Sequence, residues 1–274
     1  MSLKLGNKLD TDKIEGLQAI LVELPGSNPD VDTLNLPVGW GGRLSYVGIN
    51  PARFLFDLVI EQDSVQKALD LASKVTGALY PASGLQTLEF NPLQGWKYQV
   101  IQDKSLEWQR DAELWPQTVG GRGKAVLTAR LELLAPDPHG YKPDVAENYV
   151  NSGTDKTKTF TFTRRQGNVP SAPVFTFMGT VAARETVTVT LRDSNHDTAQ
   201  RATVKGPIDS GEKLVLDFAN QEFYTESGGT KNRNKADMFT VYQDIESGLG
   251  NNVATVSTTG TLNTCSITIN GKRI

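Results

Sequence analysis

Residues 133–145 read LLAPDPHGYKPDV. Three prolines, a glycine and one of the chain's two histidines stand in this short stretch. Each proline fixes its own φ and pushes the residue before it out of helical space. The stretch therefore ends one regular element and starts no helix. Two readings compete: a loop that presents His139 beside Asp137 for chemistry, or a hinge between two folded units. Composition on either side favours the hinge. The four tryptophans, Trp40, Trp96, Trp108 and Trp115, all precede it, whereas residues 1–150 hold 6 threonines and residues 151–274 hold 21. The reading is two domains, 1–150 and 151–274. Pro136, Asp137 and Pro138 form the hinge, and Tyr141 anchors its exit. The polar run NSGTDKTK (151–158) continues the connector.

The 274 residues suffice for two units of ordinary size, each able to bury a core. Apolar content is 38% and charged content 22%, the balance of a water-facing globular chain. No apolar run approaches the ~20 residues of a membrane-spanning helix, and MSLKLGNKLDTDK lacks the apolar centre of a signal peptide. A single cysteine, Cys265, rules out an internal disulfide; in TCSITIN it reads as a buried strand residue. Residues 1–150 carry 14 basic and 19 acidic side chains, and residues 151–274 carry 14 and 12. Neither half has the basic stripe of a nucleic-acid grip.

The first half predicts strands and one helix. Phe54, Phe56, Leu58 and Ile60 recur at period two, and Leu55 and Val59 extend burial to the opposite face. DSVQKALDLASKVTGALYP predicts a helix over about 63–80. Val65, Ala68, Leu69, Ala72, Val75 and Leu79 form its stripe, Asp63 or Ser64 its cap and Pro81 its stop. GKAVLTARLELLAP is a long strand leading into the hinge. The second half is strands throughout: TKTFTFTRR, APVFTFMG, ETVTVTLRD, KLVLDF, MFTVYQ, NVATVS and CSITING are short, β-branched or aromatic, and separated by turn residues. Threonine alternating with Phe or Val gives a sheet one wet and one dry face. The fold class is mainly β, with the helix in the first domain and an antiparallel sandwich in the second.

Signatures of chemistry fail in detail. GGRGKA (120–125) has Thr118 and Ala125 where a phosphate loop needs glycine and Ser or Thr. Asp193, Asn195 and Asp197 have calcium-loop spacing, but Thr198 and Val204 replace the required Gly and Glu. His139 and His196 have no G-x-S-x-G nucleophile to serve. No catalytic residue, metal site or cofactor is predicted. Two aromatics, Trp40 in VGWGGR and Tyr224 in NQEFYTESGG, are candidate contacts for a partner or a glycan, against packing roles at a sheet edge and in a strand-end core pair with Phe223. They sustain an alternative in which the chain is a carbohydrate-binding β-sandwich module for host-surface adhesion. A hydrolase built on converging carboxylates is a third possibility, with no pair selected by the sequence.

The order of parts resembles a known family. A helix-containing β unit ends in ARLELLAPDPHGY. GNVPSAPVFTFMG opens a second sandwich, GEKLVLDFANQEFY follows, and IESGLGNNVATVSTTGTLNTCSITINGKR closes it. LQTLEFNPLQGWKYQVIQD is similar to a post-helix hairpin, with Gly95 at its turn. Together these resemble the distal tail proteins of bacteriophages with long non-contractile tails, over most of the chain. The resemblance implies a tail-tube-like first domain and a galectin-like second domain. It also implies a homohexameric ring at the tail tip that joins the tube protein to tip or receptor-binding proteins, with DNA only passing through. Such a protein is made in the host cytoplasm and resides in the virion tail, with no membrane insertion. The loop SGGTKNRNKAD departs from the pattern in its length and its lysines.

Overall fold

The computed structural model describes residues 2–23, 29–35, 42–79, 84–110, 124–193, 198–234 and 236–273. Trp40, Trp115, Pro81, Asn195, His196 and Asp197 lie outside them. The described residues pack as two units, one up to Gly140 and one from Tyr141 to Arg273.

In the first unit the strands are β1 (Leu3–Leu5), β2 (Leu9–Asp10), β3 (Leu17–Glu23), β4 (Pro29–Asn35), β5 (Gly42–Ile49) and β6 (Ala52–Gln62). Helix α1 (Val65–Ala78) follows, then β7 (Gln86–Phe90), β8 (Tyr98–Gln102), β9 (Gln109–Arg110) and β10 (Ala125–Ala135). One antiparallel sheet runs β2-β1-β7-β8-β10-β6-β3, with β9 on β10 and β4-β5 a separate hairpin. Its spine is β6 against β10, in register from Ala52↔Ala135 to Gln62↔Ala125. As the alternation predicts, Phe54, Phe56, Leu58 and Ile60 are fully buried. Leu55 and Val59, on the other face, are only half-buried. Phe54 packs edge-on against Tyr98 at 4.9 Å and Phe90 at 5.8 Å. Helix α1 covers this core with Ala68, Ala72, Val75 and the following Leu79. Ser64 caps it, its Oγ accepting from Lys67 N. Leu69 departs from the expected stripe and is 48% exposed, because it sits a hundred degrees around the helix from Ala68.

The second unit contains β11 (Gly140–Val150, of which Gly140 packs with the first unit), β12 (Thr157–Arg164), β13 (Val174–Thr180), β14 (Thr186–Asp193), β15 (Gln200–Lys205) and β16 (Lys213–Asp217). It continues with β17 (Glu222–Ser227), β18 (Thr230–Asn234), β19 (Phe239–Val241), β20 (Gly250–Thr258) and β21 (Thr261–Arg273). Two antiparallel sheets, β11-β21-β13-β16-β17-β18 and β12-β20-β14-β15-β19, share one core. Phe160, Phe162, Phe175, Phe177, Val189 and Ile267 are among its buried side chains. Alternate residues of β12 and β14 put threonines on the wet face.

Three connections differ from expectation. Residues 141–150 are a strand of the second unit, so the packing boundary precedes residue 150. Proline and polar residues gave this strand the look of a linker, but Val145 is buried and Asp144 meets the buried Arg164. Of the run 151–158, residues 151–156 form a tied turn, and Thr157 and Lys158 already belong to β12. Asn151 Nδ2 donates to Asp155 O and Leu262 O, and Tyr149 Oη to Asp155 Oδ2. Part of the supposed loop SGGTKNRNKAD is β18, joined to β17 by Gly228-Gly229, both at positive φ, as a two-residue hairpin requires.

Arg164 is 2% exposed. Its Nε reaches Asp144 Oδ2 at 3.3 Å, and its other nitrogens donate to Ser247 O and Gln166 O. Asp144 also accepts from the backbone N–H groups of Arg165 and Gln166. Burial lowers the Arg164 pKa, and the Asp144 carboxylate opposes that shift. Removing one partner leaves a buried charge alone, so Asp144→Ala should cost about 3–5 kcal/mol. All four tryptophans belong to residues before 116, whereas Cys265 lies in the second unit. In urea, the midpoint read by Cys265 labelling should fall while the midpoint read by tryptophan fluorescence holds. Equal falls would show that β11 does not belong to the second core alone.

Candidate functional site

The residues with catalytic character do not converge. His139 is half-buried, and its Nδ1 lies 2.5 Å from Asp137 Oδ1, two residues away in the turn after β10. Asp137 also accepts from His139 N, so the pair closes a local turn. Pro136 and Pro138 flank Asp137 directly after the last β10 residue, Ala135. Gly140 lies flat on Tyr98: a Cβ there would stand 2.5 Å from the ring. Tyr141 follows as the first residue of the second unit. Asp193, from the calcium-like spacing, is 5% exposed and accepts from Gly248 N. Among the described residues no three His, Cys, Asp or Glu side chains group as metal ligands.

Tyr224 lies on β17 beside Phe223, and the pleat separates them. Phe223 enters the core, ringed edge-on by Phe218 and Phe239. Tyr224 faces outward, but Lys231 Nζ sits 4.2 Å over its ring and is itself paired with Glu222. The ring is occupied by a neighbouring cation rather than presented as a bare stacking platform.

What the units offer instead is sheet surface and sheet border. On the face of the first sheet opposite α1 lies an open concavity of about 930 Å³, lined by Ile20, Asp57, Val59, Arg130 and Glu132 among others. Ion pairs hold most of the charges on this face: Arg130 with Asp57 at 3.0 Å, Lys104 with Glu132 at 2.9 Å and Arg53 with Asp103 at 3.5 Å. The cation of each pair is exposed, so each pair contributes little to stability. At the border, β3 ends the strand order, and Ile20 and Val22 stand 52% and 45% exposed on it. In sequence both lie in AILVEL.

No family model and no curated protein matches this sequence. Solved structures do. The crystal structure of the SPP1 Dit protein (gp 19.1), described as a paradigm of the hub adsorption apparatus of phages infecting Gram-positive bacteria, matches with a TM-score of 0.64 at 12% identity. The match covers 100% of this chain and 99% of that one. The chain shares the fold of SPP1 Dit. The expected mainly-β, one-helix architecture and the likeness to distal tail proteins are borne out at the level of the fold. The phage P2 baseplate in its activated conformation, with calcium, matches at a TM-score of 0.44 and 10% identity, covering 100% of this chain and 98% of that one. That score is too low to establish a shared fold.

Cys265 offers a direct check on the interior. It is 2% exposed, and burial pushes its thiol from 9.0 up to about 11, against a small opposing pull from Lys158. An acid whose pKa rises on folding is held neutral by the fold. Its contribution to stability is intact below pH 9.0 and is lost as pH climbs towards about 11. Alkylation at pH 8 should therefore be slow in the folded chain and fast in urea, and the melting temperature should fall across that alkaline window. Fast labelling of the folded chain would contradict this burial.

Proposed function

We propose that the chain is a structural hub of a phage tail. In this reading it is a ring-forming protein, six copies per ring, whose first unit meets the tail tube and whose second docks tip or receptor-binding proteins. It has no enzymatic role, resides in the virion tail and is made in the host cytoplasm. The single observation that carries the reading is the end-to-end match to SPP1 Dit, a protein described as a hub. Physical features support it independently. An exposed border with outward Ile20 and Val22 invites another strand or an apolar neighbour. A ring closed by repeating one heterologous contact would cover that border in every copy. A self-paired charge lattice holds no surplus of cations to grip passing DNA.

Ile20→Lys combined with Val22→Lys tests the ring. Both side chains are exposed, so each change should alter folding by about 0.5 kcal/mol or less. Sedimentation should show the double variant as folded single copies under conditions where the parent chain assembles. Unchanged assembly would remove β3 from the interface, and a parent chain that stays single even with its tube partner would remove the ring.

In the same reading, Pro136, Asp137, Pro138 and Tyr141 form the joint between the units. Pro136→Gly with Pro138→Gly frees two φ angles without touching either core. Solution scattering should broaden its distance distribution while the melting temperature changes little. An identical profile would contradict a hinge here.

A further inference from the structure

Among the described residues, the sandwich of the second unit has four outer borders: β11 and β18 in one sheet, β12 and β19 in the other. Natural sheets blunt such borders with proline, charge, irregular register or brevity. Three of the four are blunted. β11 contains Pro143. β18 has 5 residues, includes Lys231 and Arg233, and its register with β17 shifts. β19 has 3 residues, and its register with β15 shifts. β12 also carries Lys158 and the buried Arg164, but it differs in having 8 residues, no proline, and unbroken register with β20 from Thr157↔Ser257 to Arg164↔Gly250.

One hydrogen bond fixes which of its backbone groups face outward. Thr258 N donates to Lys156 O at 2.9 Å, which makes Lys156 and Thr258 a bonded pair. Antiparallel ladders alternate, so Lys158, Phe160 and Phe162 also bond to β20. The N–H and C=O groups of Thr157, Thr159, Thr161 and Thr163 then point away from the sheet. All four threonine side chains are exposed on the wet face.

Three cations, Lys156, Lys158 and Arg165, stand beside this border. Lys156 donates to Thr259 O, Lys158 Nζ lies 4.7 Å over the Tyr149 ring, and Arg165 is exposed. None of the three makes an ion pair among the described residues. The nearby acids are engaged: Asp144 holds Arg164, and Asp155 takes the Tyr149 hydroxyl. A second copy of β12 would bring the same three cations against these.

We propose that the free border of β12 docks an extended, acidic segment of a different protein as an added strand. Main-chain hydrogen bonds to the four threonines supply affinity, and carboxylates facing Lys156, Lys158 and Arg165 supply selection. This inference does not rest on the ring.

The probes are two synthetic extended octapeptides, one alternating valine with glutamate and one alternating valine with lysine. Amide exchange is followed on the full chain. The glutamate peptide should slow exchange at Thr157, Thr159, Thr161 and Thr163 saturably, and the lysine peptide should not. Thr161→Pro removes only an outward N–H, so its melting temperature should hold. Its affinity for the glutamate peptide should fall about tenfold, the loss expected for an orphaned hydrogen-bond group. Lys158→Glu should weaken the glutamate peptide without a change in fold. Four results would overturn the proposal: equal protection by both peptides, no protection by either, undiminished binding to Thr161→Pro, or protection produced by concentrating the chain alone.

Discussion

A strand satisfies its backbone sideways, so every open sheet leaves donors and acceptors unpaired along two borders. This constraint organises the chain. Both units are built from antiparallel sheets whose inner faces are closed by apolar packing: Phe54 and Phe56 under α1 in one, Phe175 and Phe177 between two sheets in the other. With the interiors satisfied, the borders are the surfaces left to act. β3 ends the first sheet with apolar side chains outward, and β12 ends a second with a clean row of backbone groups. In the proposed function these borders are where the chain would join its neighbours.

A buried ion pair sets where the second unit begins. Taking two charges out of water is costly, and the cost is offset only when hydrogen bonds surround both ions. Arg164 and Asp144 meet that condition through two carbonyls and two backbone N–H groups. β11 is thereby fastened to the end of β12, besides its ladder with β21. At the other side, Gly140 has no room for a Cβ beside Tyr98. In the proposed reading the joint is then a short stretch around Pro136 to His139, shorter than composition alone suggested.

Much of the fold was legible. Alternation in FLFDLVI located β6 and its buried face, and spacing of three and four located α1. Thr-Phe and Thr-Val alternation located the sandwich. The misses have physical causes. Leu69 extended the helical stripe beyond the width that β6 and β10 cover. β11 was hidden because Pro143, Asp144 and Glu147 mimic a linker, and nothing in sequence says that Asp144 meets Arg164 across the fold. β18 was hidden by Lys231 and Arg233, although the Gly228-Gly229 pair was a hairpin signal in plain view. For the site, period two already separated Phe223 from Tyr224, but not the Lys231 ammonium over the tyrosine ring. Trp40 lies outside the described residues. The borders of β3 and β12 were not legible at all, because a sequence shows which residues form a strand and not which strand is left without a neighbour.

The most direct measurement is an electron-microscope image of the isolated 29.9 kDa chain at concentrations where border pairing is saturated. The account predicts closed rings with a central hole and rotational symmetry. A field of separate single copies, persisting when the tube partner is added, would contradict it.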